Sequence, residues 1–234
     1  MTPDSSRAAA AARRPDSAPR TSPPSPRGAA VGRRIGIGLI HGGWRPRVLG
    51  AHRVPSAGPV ILAVNHAHNV DGPVLMGTAP RPVHFLIKRE AFIGPLGRFL
   101  TGIGQIPVDR GGTDRTAVTS ALGVLERGGV LGIFPEGTRG AGDFAALRGG
   151  LAYFAVRSGA PVVPVAVLGG AEGHSRLVPA LPPLRGRIDV VFGDPFAAAE
   201  PGARRTRTEL DAATERLRGR LEEHLARARR ITGR

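Results

Sequence analysis

From Val48 onward, short apolar runs alternate with segments of helical period, and this alternation constrains the fold more than any other feature. Val60–Val64, Val83–Ile87, Val130–Phe134 and Val162–Leu168 are apolar at almost every position. Runs this short and this continuous are the pattern of strands buried on both faces, as in a parallel sheet. Ile103–Val108 is a weaker strand, and Ile188–Phe192 reads as an edge or return strand. Between the runs, Thr113–Arg127 has the helical period, with Ala117, Val118, Ala121, Leu122, Val124 and Leu125 apolar and Gly128 as the stop. Leu147–Arg157 is a second helix, closed by Gly159-Ala160-Pro161. The chain of 234 residues suits one core. The expected fold is therefore α/β, a single domain with a largely parallel central sheet flanked by helices.

The two ends read differently. Residues 1–33 are rich in Arg, Pro, Ala and Ser and hold few large apolar side chains, so they are expected to be disordered. Their composition also fits an organellar transit peptide. Residues 34–200 form the expected domain, and residues 201–234 a basic amphipathic helix. In that helix Leu210, Leu217, Leu221 and Leu225 share a stripe, and Thr206–Glu209 has the form of a capping box. It either packs on the domain or lays a basic face on a membrane. Ile35–Ile40 is too short to span a bilayer or to serve as a twin-arginine signal after Arg33-Arg34. It reads as an interfacial element with Trp44 at headgroup depth, or equally as a first helix packing on the domain.

Charge narrows the partners less than its size suggests. The formal net charge is +15, and every basic residue except Lys88 is arginine. With so much Ala, Gly and Pro, that skew reflects coding composition as well as function. One Trp, one Tyr and eight Phe supply little base-stacking surface, so no nucleic acid is expected as a partner. Anionic lipids and phosphorylated ligands remain suitable. The absence of cysteine excludes disulfides, thiolate nucleophiles and cysteine-bound metals.

The chemistry concentrates where strands end. Val60–Val64 runs into Asn65-His66-Ala67-His68-Asn69-Val70-Asp71, which delivers an imidazole and a carboxylate together. Such a pair can act as a general base or as metal ligands. The hydrolase pattern His-x-His-x-Asp-His fails here, because the carboxylate falls one residue late and no histidine follows it. No metal is expected. Three more blocks follow apolar runs: Gly104–Arg110, Phe134–Arg139 and Val163–Val167.

Taken in order, His-x4-Asp, Gly-x-Ile-Pro-Val-Asp-Arg, Phe-Pro-Glu-Gly-Thr-Arg and Val-Pro-Val resemble the glycerolipid acyltransferase family over about residues 48–196. The resemblance implies an O-acyltransferase of the 1-acyl-glycerol-3-phosphate type, which moves a fatty acyl group from acyl-CoA or acyl-carrier protein. It further implies that His66 is the general base, that Asp71 holds its ring, and that Arg110, Glu136, Gly137, Thr138 and Arg139 bind the acceptor. Lys88, where the family commonly has lysine, joins the substrate-binding set, and Pro164 supports the acyl-chain side or the packing. No cofactor is expected beyond the acyl donor. The expected location is the cytoplasmic face of a membrane, held peripherally beside its lysophospholipid; another lysophospholipid or a glycolipid is the alternative acceptor.

Overall fold

The structure, a computed structural model, describes residues 24–66, 68, 70–112, 114–136, 143, 144, 147, 149–169, 182–200 and 206–234. Six helices are described: α1 (Pro26–Gly43), α2 (Asp71–Thr78), α3 (Gly94–Gly102), α4 (Arg115–Glu126), α5 (Gly150–Ser158) and α6 (Arg207–Thr232). They surround seven strands: β1 (Arg45–Leu49), β2 (Val60–Val64), β3 (Val83–Lys88), β4 (Ile106–Val108), β5 (Val130–Ile133), β6 (Val162–Leu168) and β7 (Arg187–Phe192). The sheet order is β1-β7-β6-β2-β5-β3-β4, and every pairing is parallel except β6 with β7. This is the α/β domain with a mostly parallel sheet that the apolar runs imply.

Strand β2 shows why the runs are unbroken. All five of its residues are buried. Ile61 and Ala63 point into a core shared with α4, α5 and α6, whereas Val60, Leu62 and Val64 point into one shared with α1 and α2. A strand sandwiched between helical layers has no polar face to display. Strand β7 is not an edge: it returns antiparallel beside β6 and is covered on its outer side by β1. Neither β1 nor α3 is apparent in the sequence, since Arg45-Pro46-Arg47 lacks strand character and Gly94-Pro95-Leu96-Gly97 resembles a turn.

Residues 26–33, expected to be disordered, form the start of α1 instead. Pro26 opens α1, and the Ser25 side chain caps it by accepting from the Gly28 N–H at 3.0 Å. The segment needs no large apolar residues, because it packs by backbone approach. A Cβ at Gly36 would lie 2.9 Å from the Gly77 nitrogen, and one at Gly77 would lie 2.5 Å from the Gly36 oxygen. Glycine at both positions lets α1 and α2 touch directly. Trp44 is 8% exposed and its indole N–H donates to the Pro182 carbonyl, so it is a core residue rather than a headgroup anchor. Helix α6 packs on the domain, with Leu217, Leu221 and Leu225 in the core beside β6 and α5. Its cap is as the sequence suggests: the Thr206 hydroxyl accepts from the Glu209 N–H at 3.2 Å.

Candidate active site

Five strands, β2 to β6, end on the same side of the sheet, and β2 hands the chain to His66 there. The register of β2 with β6 ends at Val64 and Val165. Asn65 prolongs it with its side chain, donating to the Val167 carbonyl at 3.1 Å and accepting from the Val167 N–H at 2.7 Å. At 3% exposed, this amide replaces a backbone ladder step and fixes where His66 begins. Nothing in the sequence beyond its adjacency to His66 signals that role.

Asp71 is the first residue of α2 and 1% exposed. The helix N-terminus favours a carboxylate there. Its Oδ2 lies 3.0 Å from Nδ1 of His66 and accepts from the His68 N–H at 2.7 Å. With Nδ1–H directed at the carboxylate, Nε2 is the nitrogen left to accept a proton. The imidazole also stacks on Phe134 at 4.3 Å between ring centroids, and Phe134 stacks on Phe85. Hydrogen bond and stacking together hold the ring in place.

His66 and Arg110 line one cavity of about 290 Å³ whose remaining wall is largely apolar, including Leu86, Val108, Val118, Leu151 and Phe154. Arg110 sits on a loop pinned from beneath by Asp114, the cap of α4. The Asp114 carboxylate accepts from the N–H groups of Ala117 and Asp109, each at 3.0 Å, and pairs with Arg89 at 2.7 Å. Burial works to raise its pKa, but those hydrogen bonds and the arginine outweigh it and hold the carboxyl below its ordinary value.

Glu136 follows β5, and its Oε1 stands 3.5 Å from the His66 nitrogen and 3.4 Å from the Phe144 nitrogen. Burial pushes its pKa up, and Asp143 adds to the rise; the two N–H groups and His66 oppose it. The expected acceptor ligand therefore also braces the backbone of the base. Lys88 ends β3 in register with Val108, exposed and outside the cavity wall. Gly137, Thr138 and Arg139 lie outside the described residues. Pro164 lies within β6, paired with Ala63. Among the described residues, no group of three or more His, Cys, Asp or Glu side chains could hold a metal ion.

The arrangement provides a steadied imidazole at the edge of a greasy cavity, with a guanidinium on the same wall. The chain is similar to known proteins. The Acyltransferase family model matches residues 45–168. The 1-acyl-sn-glycerol-3-phosphate acyltransferase of Bacillus subtilis is 29% identical over 179 residues, covering 76% of this chain and 86% of that enzyme. The enzyme of the same name from Borreliella burgdorferi is 30% identical over 135 residues, covering 56% of this chain and 54% of its own length. In fold, the chain resembles the crystal structure of the 1-acyl-sn-glycerophosphate (LPA) acyltransferase PlsC from Thermotoga maritima. The TM-score is 0.59 at 24% identity, over 86% of this chain and 78% of that one.

Proposed function

The chain belongs to the acyltransferase family, and from that premise we propose that it acylates the free hydroxyl of 1-acyl-glycerol-3-phosphate, forming phosphatidic acid. The donor is a thioester of coenzyme A or of acyl-carrier protein. Nε2 of His66 takes the hydroxyl proton as that oxygen bonds to the thioester carbonyl carbon. The C–S bond then breaks, and the proton passes to the departing thiolate. Asp71 stabilises the imidazolium formed in between. Arg110 offers two parallel N–H donors to the acceptor phosphate, together with Arg139 of the Phe134–Arg139 block. The observation that carries this reading is the pairing of His66 with the buried Asp71 carboxylate, at the edge of an apolar cavity that also holds Arg110.

We further propose peripheral attachment to the cytoplasmic face of a membrane. Among the described residues, no helix is long and apolar enough to cross one. Instead α1 exposes Val31, Ile35 and Leu39 at helical spacing, and α3, which α1 touches at Gly102, exposes Leu96 and Phe99. Large apolar side chains set outward on neighbouring helices suit insertion at headgroup depth.

The test is a purified-protein assay with both thioester donors against lysophosphatidic acid and a panel of neutral and choline-bearing lysolipids. Preference for the phosphorylated acceptor is expected. Equal turnover of an acceptor without phosphate would remove that specificity. No transfer to any member of the panel would remove the proposed reaction.

A further inference from the structure

Arginines gather where α1 ends, and one carboxylate answers them. Arg45 and Arg47 open β1, and Arg185 and Arg187 lead into β7; the register sets Arg45 beside Arg187 and Arg47 beside Asp189. Asp189 is fully buried and takes Arg47 at 2.9 Å and Arg187 at 3.2 Å, with Arg234 at 3.5 Å. Arg47 and Arg187 also donate to the Ile231 and Thr232 carbonyls at the end of α6, which fixes both side chains. Arg45 and Arg185 are exposed, and among the described residues their guanidiniums have no partner. Arg185 is nonetheless held in place: its backbone is left-handed, at φ 62°, and its N–H donates to the Gly43 carbonyl at 2.7 Å.

The surrounding elements leave this positive charge in surplus. Helix α1 and strand β1 hold no acidic residue, residues 182–193 hold only Asp189, and α6 holds none after Glu223. Arg33 and Arg34 of α1 and Arg229 and Arg230 of α6 have the same sign. Apolar surface lies directly beside the cations. Leu184 is 71% exposed, and its Cδ1 lies 3.9 Å from where a Cβ at Gly43 would sit. It therefore prolongs the exposed stripe of Val31, Ile35 and Leu39 along α1. The cluster is also at the catalytic end of the sheet, because Asp189 pairs with Leu168 at the end of β6, the neighbour of β2.

We propose that this corner docks the headgroups of anionic phospholipids, with Arg45 and Arg185 on phosphates and Leu184 among the acyl chains. A guanidinium matches a phosphate with two parallel N–H donors. Exposed leucines beside the arginines fit a bilayer, where phosphate lies above hydrocarbon; a nucleic acid backbone offers them nothing to bury. The inference rests on the peripheral attachment proposed above and names the lipid that this attachment selects. It also turns the catalytic end of the sheet toward the leaflet that holds the acceptor.

The experiment measures binding of the full chain to sedimenting vesicles of phosphatidylcholine alone and of phosphatidylcholine with an equal part of phosphatidylglycerol. Wild type should bind the mixed vesicles more tightly. A basic residue near an anionic leaflet is worth roughly fivefold in affinity, so Arg45→Gln/Arg185→Gln should lose about 10- to 30-fold on mixed vesicles and nothing on neutral ones. Arg127→Gln/Arg207→Gln removes the same charge from the opposite end of the sheet and should lose no more than about twofold. Leu184→Ser should weaken binding to both vesicles. An equal loss in the two arginine pairs overturns the inference, because net charge alone would then account for binding. Unchanged binding of Leu184→Ser to mixed vesicles also overturns it, since the corner would then be a site for polyanions of any kind. Equal wild-type binding to the two vesicles overturns the anionic selectivity while leaving peripheral attachment standing. Binding to neither removes the attachment itself.

Discussion

The two loops that meet at the cavity are built on opposite principles. The loop from β2 to α2 is locked: Asn65 and Asp71 are buried, and each places both of its described hydrogen-bonding partners within reach of a single strand or turn. The loop from β4 to α4 presents Arg110 outward, and among the described residues the carboxylates of Asp109 and Asp114 hold it from below. A base must meet its proton within a few tenths of an ångström, so its supports are buried and rigid. A binder of a charged headgroup must be reached from solvent, so it is exposed and only its base is fixed. If this division holds, damage to the first loop lowers kcat and damage to the second raises KM.

His66→Ala is the sharpest test of the locked side. It should lower kcat by about 10³- to 10⁴-fold with KM little changed, and the thermal midpoint should stay near wild type because the ring is partly exposed. A KM effect of similar size would erase the division. Asp71→Asn should lower kcat by up to about 10⁴-fold, because an amide can hold the ring but neither fixes its tautomer nor stabilises the imidazolium. Steady-state kinetics of both variants with one acceptor decides this. On the open side, Arg110→Ala should raise KM for a phosphorylated acceptor about tenfold and leave kcat within twofold. The same variant should be indifferent toward an acceptor lacking phosphate. A drop in kcat would show that Arg110 belongs with the base.

The same contrast explains what could be read from the sequence. His66 and Asp71 are five residues apart on one strand-to-helix connection, so local spacing reveals a pair that the fold then brings to 3.0 Å. The strands are legible because burial on both faces leaves no polar positions. The supports are not legible, because their partners are distant in the chain: Asn65 pairs across 102 residues with Val167, and Glu136 reaches back 70 residues to His66. Helix α1 is hidden for another reason. Up to Ile40 its inward stripe is Gly28, Ala29, Gly32 and Gly36, small residues that signal flexibility to composition but close packing to geometry. Gly137, Thr138 and Arg139 lie outside the described residues, so their expected roles stay with the proposed function.

Glu136 supports the locked side from the segment after β5 and gives the smallest expected effect. Its carboxylate belongs to the segment after β5, and it lies beside the N–H of His66 in the locked loop and that of Phe144 in its own segment. Burial raises its pKa in the folded protein above the unfolded value. Below the unfolded value both states are protonated, and Glu136 contributes its full stability. As pH rises, the unfolded chain ionises first and stability falls, until pH passes the raised folded value and the loss is complete. Glu136→Gln removes that loss while keeping an acceptor for the two N–H groups. The variant should match wild type in acid and melt about 1 °C higher at neutral pH, while kcat falls only a few-fold because the ring keeps Asp71. Thermal melts of the two proteins across pH 3 to 8 test it. A gain that is the same at every pH would mean that charge burial is not its cause. A loss at neutral pH would mean that the ionised carboxylate braces the His66 backbone, and the locked side would then extend to the segment after β5.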